Sequence, residues 1–332
     1  MTRKKVAFIG TGGTISSIGK GPLDILDYTA NNTMLHAEEI LAAVPSVNEV
    51  ADLLVVKFRN IPSPAIYFPE WKELVALCER LVRENSDLSG IVIGHGTATL
   101  EETAYFLSLT FKVPVPVVVV GSQRPLSGLS TDAAMNLVAA IRTAASPTSR
   151  GRGVLVVLND EIQAAREVTK TSTFRLQTFR TPDFGVLGSV DGDHVRYYRR
   201  TERRNAPETE FDIGQLDALP RVEIAYAYAG SDGSAVRAFT AAGAKGIVVA
   251  AFAPGMATPG DIEAIKDAIK ADVTIVLSTR AGSGVALDGA KSRALGMLTA
   301  DNLNPQKARL LLALALTVTS EPDEIRRIFA TY

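Results

Sequence analysis

Cysteine is almost absent from this chain: Cys78 is the only one. An internal disulfide is excluded. Cys78 lies in EWKELVALCERLVREN, spaced from Leu74, Leu77 and Leu81 as a core-facing helix position, so the thiol reads as a small hydrophobe. Histidine is scarce too. His36, His95 and His194 are scattered without the spacing of a zinc site, and no metal or other cofactor is expected. An excess of one charge is also missing, the formal net charge being -1, so no global field favours nucleic acid or an anionic membrane. The densest basic run, Arg199-Arg200 followed by Arg203-Arg204, reads as a solvated linker face. Long apolar runs are lacking as well. Behind Lys5 the run spans Val6 to Ile9, too short for a signal h-region or a membrane span. These absences lead to the expectation of a soluble, cytoplasmic protein with neither nucleic acid nor membrane as partner.

What is present is a regular alternation. KVAFIG, LLVVKF, GIVIG, VPVVVVG and GVLVVLN are continuously hydrophobic, as strands covered on both faces should be. Between them EEILAAV, WKELVALCERLVREN, LEETAYFLSLT and DAAMNLVAAIRTAA carry helical periodicity. The pattern predicts an α/β protein with a doubly wound parallel sheet, whose ligand crevice lies beyond the carboxyl ends of the strands. Residues 196–220 turn polar and lose their period. The alternation then resumes with RVEIAYAYA, GIVVAAFA and TIVLSTR as strands. The expected organisation is an N-terminal α/β domain over 1–200, a linker over 201–220 and a smaller C-terminal α/β domain over 221–332.

Three stretches carry chemistry. FIGTGGTIS, residues 8–16, joins a strand to a glycine-rich turn, with Thr11 and Thr14 as hydroxyls at the strand end. It is a poor dinucleotide loop, because Ile15 stands where that fingerprint needs glycine. GIVIGHGTATLEETAYF delivers Thr97 and Thr99 at another strand end. Thr99, with Glu102 three residues later, reads as the N-cap of a capping box, which leaves Thr97 nearer the strand tip. In DEIQAAREVTKTSTFRLQTF, Lys170 stands between Thr169 and Thr171 in a polar stretch after a strand. A solvated loop lysine is the plain reading; a lysine near hydroxyls could also take a proton if burial lowered its pKa. No Ser-His-Asp order or metal motif competes, and threonine hydroxyls with a lysine suit nucleophilic attack on a carbonyl.

These motifs resemble the bacterial-type asparaginase/glutaminase family of amidohydrolases. TGGTIS is similar to the first family signature and VIGHGTATLEETAYFL to the second, while GSQRP, VLVVLNDEI, REVTKTSTFRLQTF and LNPQKARLLLALALT extend the match along nearly the whole chain. The resemblance implies a large flavodoxin-like N-terminal domain and a smaller C-terminal α/β domain. It also implies a homotetramer of intimate dimers, each site closed by the neighbour's C-terminal domain, and a small amide as substrate. By the same resemblance Thr14 matches the nucleophile, Tyr28 the tyrosine that activates it from a mobile loop, Thr97 the second catalytic threonine and Lys170 its lysine. Ser63 matches the serine that holds the substrate's α-carboxylate, and Gln123 in GSQRP is grouped with the substrate-binding positions.

Departures from the family pattern concern one substrate group. Where asparaginases have an aspartate holding the α-ammonium, beside the second threonine and the lysine, this chain has Ala98. The glutamine expected after the serine is Pro64, the neighbour-subunit asparagine aligns with Pro254, and the neighbour-subunit glutamate falls near Asp288 or Gly289. Three readings follow. The favoured one is a hydrolase of an amide, lactam or imide lacking a free α-amino group. The second is an L-asparaginase with a rearranged ammonium site. The third is a non-catalytic binding protein on the same fold, disfavoured because Thr14, Tyr28, Thr97 and Lys170 all remain.

Overall fold

The computed structural model describes residues 3–31 and 33–332. The chain divides into two compact units, Met1–Glu210 and Phe211–Tyr332. In the first, the strands β1 (Lys5–Gly10), β2 (Asp52–Val56), β3 (Leu88–Gly94), β4 (Val117–Val120) and β5 (Val154–Leu158) run parallel in the order β2-β1-β3-β4-β5. That is the flavodoxin-like order. In register, Phe8 pairs with Val92 and Gly10 with Gly94, so β1 and β3 end level. Neighbouring side chains point to opposite faces of a strand. Accordingly Val6, Phe8, Val92, Val118, Val120, Leu155 and Val157 enter one core, completed by helices α1 (Ala37–Ala43), α2 (Val47–Val50) and, further along, Ala133–Ala145.

Helix α3 (Phe68–Glu84) buries Phe68, Trp71, Leu74, Val75, Cys78 and Leu81, a stripe at helical spacing. Burial pushes the Cys78 thiol far above its ordinary pKa, with Glu79 adding to the rise, so it acts as the expected small hydrophobe. Helix α4 (Leu100–Thr110) packs beside α3, where Trp71 stacks on Phe106 at 4.7 Å. Helix α5 (Ala133–Ala145) lies over β3, β4 and β5.

Beyond β5 the sheet departs from the purely parallel expectation. Strands β6 (Glu161–Ala164), β9 (Gly188–Asp191) and β10 (His194–Tyr197) extend it antiparallel, while β7 (Thr169–Lys170) and β8 (Phe179–Arg180) form a separate hairpin. The reversal after β5 is made by Asn159 and Asp160, with φ of 53° and 61° between the paired Leu158 and Glu161. Two left-handed residues in a two-residue loop are the turn that matches strand twist, and Asn and Asp tolerate it.

The second unit is a parallel sheet in the order β11 (Val222–Tyr226), β12 (Gly246–Ala251), β13 (Thr274–Thr279), β14 (Leu298–Thr299). Helices α6 (Ser234–Ala241) and α7 (Pro259–Lys270) share a core with its strands. After α8 (Ala290–Ala294), helix α9 (Pro305–Ala315) packs on β11, β12 and β13, capped by Asn304, which accepts the Lys307 N–H at 3.1 Å. The chain ends in α10 (Pro322–Thr331).

The polar segment holds the boundary between the two units and is tied down at particular residues. Arg196 and Tyr197 belong to β10. The Ala206 N–H donates to the Ser108 carbonyl at 2.8 Å, and Phe211 meets the Tyr332 ring at 5.1 Å. Arg199 is not a solvated linker residue either: its guanidinium reaches Glu167 at 2.5 Å and the Val186 carbonyl at 3.1 Å. Its charge is spent on an ion pair whose carboxylate side chain is 7% exposed. Among the described residues no helix is long and apolar enough to cross a membrane.

Candidate functional site

The site grows from the carboxyl ends of β1 and β3. After β1 the chain passes through Gly12 and Gly13 with φ of 106° and 89°. A Cβ on Gly13 would lie 2.1 Å from Gly96 Cα, and one on Gly12 would lie 2.5 Å from the Ile61 carbonyl. Both positions combine left-handed backbone with contact against another chain segment, which leaves glycine as the residue that fits. The loops after β1 and β3 therefore touch backbone to backbone, and Thr14 and Thr97 each stand one residue beyond that contact.

Thr14 opens a short 3-10 turn, Thr14–Ser16, secured by the Ser16 and Ser17 hydroxyls donating to the Gly13 carbonyl at 2.8 and 2.9 Å. Its Oγ1 is 2.9 Å from the Tyr28 hydroxyl. Thr11 is turned elsewhere. Its N–H and its hydroxyl both donate to the Gly94 carbonyl, at 2.9 and 3.0 Å, so it ties the two loops together.

Thr97 is buried, and its Oγ1 accepts from Lys170 Nζ at 2.8 Å. Lys170 is not a loop residue. It lies on β7, paired with Phe179 of β8. That hairpin is fixed from below by fully buried Gln163, whose Nε2 donates to the Phe179 carbonyl at 2.8 Å and whose Oε1 accepts from the Thr181 hydroxyl at 2.9 Å. Burial draws the lysine pKa below its ordinary value, against an opposing upward pull from Glu101. A half-buried lysine with a lowered pKa on a threonine hydroxyl is equipped to move a proton.

The remaining positions frame this pair. Ser63 begins the 3-10 turn Ser63–Ala65 and is 3% exposed, its Oγ 2.7 Å from where a Gly96 Cβ would stand. Thr99 occupies the N-cap position of α4 as expected, but its side chain makes no cap. Its hydroxyl donates instead to the Ser63 carbonyl at 2.8 Å, tethering the serine turn to the threonine loop. Gln123 follows β4, where Asp132 accepts the N–H groups of Gln123 and Arg124, each at 2.9 Å. The loop between them stays close: a Cβ on Gly121 would lie 3.0 Å from Thr97 Cγ2. Ala98 is exposed beside Thr97, a methyl where no charge can form. Pro64 is exposed next to Ser63. In the C-terminal unit Asp288 is engaged by Arg293 at 3.4 Å.

Sequence reasoning passed over His95. It is fully buried between Gly94 and Gly96, its Nδ1 2.8 Å from the Gly96 carbonyl and its Nε2 2.9 Å from Thr103 Oγ1. The Thr103 oxygen already accepts from Trp71 Nε1 at 2.8 Å. The Gly96 carbonyl only accepts, so the imidazole carries its proton on Nδ1, and Nε2 of the neutral ring accepts the Thr103 hydroxyl proton. The ring is neutral, and burial lowers its pKa to about 4. Its sequence signal, a lone histidine between glycines, is indistinct because its partners are a backbone carbonyl and a threonine one helix away. Among the described residues no group of His, Cys, Asp and Glu could hold a metal ion.

Comparisons with known proteins identify the family. Residues 5–203 match the family model described as "Asparaginase, N-terminal", and residues 221–329 that of the "Glutaminase/Asparaginase C-terminal domain". L-asparaginase 2 of Bacillus subtilis is 38% identical, over 98% of this chain and 86% of that protein. The glutaminase-asparaginase of Pseudomonas fluorescens is 37% identical, over 98% and 90%. A crystal structure titled as a probable cytoplasmic L-asparaginase from Campylobacter jejuni superposes with a TM-score of 0.94 at 35% identity, covering 99% of this chain and all of that one. With both of its units matched in order and the chain covered almost end to end, the protein belongs to the asparaginase family of amidohydrolases.

Proposed function

We propose that this amidohydrolase uses Thr14 as nucleophile on a small amide, lactam or imide that lacks a free α-amino group. The observation that carries the reading is a contrast within one site. Both hydroxyls keep proton-handling partners, Tyr28 on Thr14 at 2.9 Å and Lys170 on Thr97 at 2.8 Å, while the position next to Thr97 is Ala98.

Thr14 Oγ1 adds to the substrate carbonyl as its proton is relayed towards the leaving nitrogen, by the Tyr28 hydroxyl passing on its own proton or by Thr97 and uncharged Lys170. Backbone amides around Thr97 and Ala98 serve the oxyanion. The C–N bond breaks as nitrogen takes a proton, leaving an acyl ester on Thr14. Water then adds to the ester, giving a carboxylic acid and the free threonine. Ser63 anchors a substrate carboxylate and Gln123 lines the same pocket. An α-ammonium has little to meet here. Leaving one charge of a buried pair without its partner costs roughly 2–5 kcal/mol, and each 1.4 kcal/mol is about a decade in affinity.

A second reading, L-asparagine hydrolysis with a rearranged ammonium site, draws support from the relatives' names. Asp288 is its candidate acid, and the ion pair of that carboxylate with Arg293 argues against it.

Ammonia release from purified protein decides between the two readings. Succinamate, which carries hydrogen in place of the α-ammonium, should be preferred over L-asparagine by kcat/KM. Thr14→Ala should abolish turnover of whichever amide is best, with the fold intact. Micromolar KM and high turnover on L-asparagine would reverse the preference, and near-native turnover in Thr14→Ala would remove the nucleophile.

A further inference from the structure

Glu101 sits in the first turn of α4 and is 6% exposed. A carboxylate at a helix N-terminus has an ordinary electrostatic reason to be there. This one also reaches another element: its Oε1 accepts the Lys170 N–H at 3.3 Å and the Thr169 hydroxyl at 3.2 Å. Those two residues are the whole of β7. Lys170 is thereby held twice by one stretch of chain, at its backbone by Glu101 and at its tip by Thr97, four positions earlier.

The family resemblance implies an aspartate at position 98, beside the threonine and the lysine. Here that position is a methyl, yet the threonine–lysine bond survives at 2.8 Å. We propose that Glu101 is the acidic member of the Thr97–Lys170 pair in this chain, a positioning residue that fixes the lysine's backbone and supplies the negative charge residue 98 cannot. The inference rests on the reading of Lys170 as a proton carrier.

The surroundings single out Glu101. The strand paired with β7 carries Arg180, exposed and in the field of Glu161. The turn before β7 carries buried Arg166, and Glu167, which is bound to Arg199. Tyr28 stands on Thr14. Glu101 is the charged side chain that pulls the lysine pKa upward, against the larger downward pull of burial. Removing the Glu101 charge leaves burial unopposed, so the lysine should lose its proton at lower pH.

Two variants of the full-length protein separate charge from position. Glu101→Gln keeps an oxygen for the Lys170 N–H and the Thr169 hydroxyl but deletes the charge. Glu101→Asp keeps the charge and withdraws it by a methylene. The titration of Lys170 is read from its Cε resonance in 13C-lysine protein, assigned by the signal missing in Lys170→Arg. The midpoint should move to lower pH in Glu101→Gln, with the acid limb of the kcat profile following, and should move less in Glu101→Asp. In Glu101→Asp, kcat should fall about tenfold to a hundredfold at nearly constant KM, the cost of drawing β7 out of place by about 1 Å. A midpoint that shifts while the kinetic limb stays upholds Glu101 and removes Lys170 from proton transfer. An unmoved midpoint in Glu101→Gln overturns the proposal, and Glu101→Asp at parental kcat overturns it even where Glu101→Gln does not fold.

Discussion

Ala98 has consequences larger than its size. It is exposed next to a buried threonine that carries a lysine, so an added carboxylate has room, and its effect falls on whatever occupies the pocket. An ammonium leaving water needs a compensating partner. Ala98→Asp is expected to raise kcat/KM for L-asparagine relative to succinamate by about tenfold to a hundredfold, roughly 1.4–2.8 kcal/mol. The shift should stay incomplete because Pro64 and Pro254 remain. Four measurements suffice, two substrates on two proteins, and an unchanged ratio would mean that residue 98 does not face the ammonium position. The two hydroxyls could be picked out from sequence because Thr14 and Thr97 each follow a strand end, whereas Lys170, expected in a loop, lies on β7. Glu101 could not. An acidic residue in a first helical turn has a sufficient local explanation, and its link to β7 spans 69 residues. The same holds for Gln163, an unremarked residue of a short strand whose side chain holds the hairpin bearing Lys170.

At the scale of elements, what could be read was the continuous apolar run: four such strands are buried on both faces, whereas β2, expected to be covered likewise, lies at the sheet edge with every residue partly or fully exposed. The five parallel strands and their helices announce themselves as continuous apolar runs and helical stripes. The antiparallel extension does not: β9 and β10 are four residues each with half-exposed patterns, too short for alternation to register. Asn159-Asp160 was the available turn signal. The loop after β3 depends on a different device, the neutral His95 bridging Gly96 to α4. The histidine pKa of about 4 in the folded protein lies below the ordinary 6.5. The unfolded chain therefore binds the proton more readily. This contribution to stability is whole above pH 6.5 and is lost as pH falls towards 4. At pH 4.5 the loss is on the order of 2–3 kcal/mol at about 1.36 kcal/mol per unit. His95→Gln should be less stable than the parent at pH 7 yet lose less between pH 7 and pH 4.5. Urea midpoints at both pH values measure this, and equal acid losses in the two proteins would show that His95 does not carry the effect.

At the scale of the molecule, each unit has a core of its own, one built around α1 and α5, the other around α6 and α7. The C-terminal unit also leaves apolar side chains outside its core: Tyr226, Tyr228, Met256, Val285 and Leu287 are each 46% exposed or more. Tyr226 closes β11, and the Arg280 guanidinium just past β13 lies 4.6 Å from the Phe252 ring just past β12. These exposed side chains therefore gather about the carboxyl ends of that unit's strands, and grouped apolar surface of this kind marks a contact. The family resemblance implies that the neighbour's C-terminal unit closes each site, and this surface is expected to make that contact. The protein is expected to sediment as a dimer or a larger assembly at assay concentration. Tyr226→Glu combined with Leu287→Glu should shift it towards monomer and lower kcat/KM by at least about tenfold, since charges buried without partners oppose association. Light scattering and ammonia release on the same samples test both halves. A parental monomer with full activity would detach the site from any partner. A double variant that dissociates without losing activity would confine catalysis to one chain and leave the exposed surface with an assembly role alone.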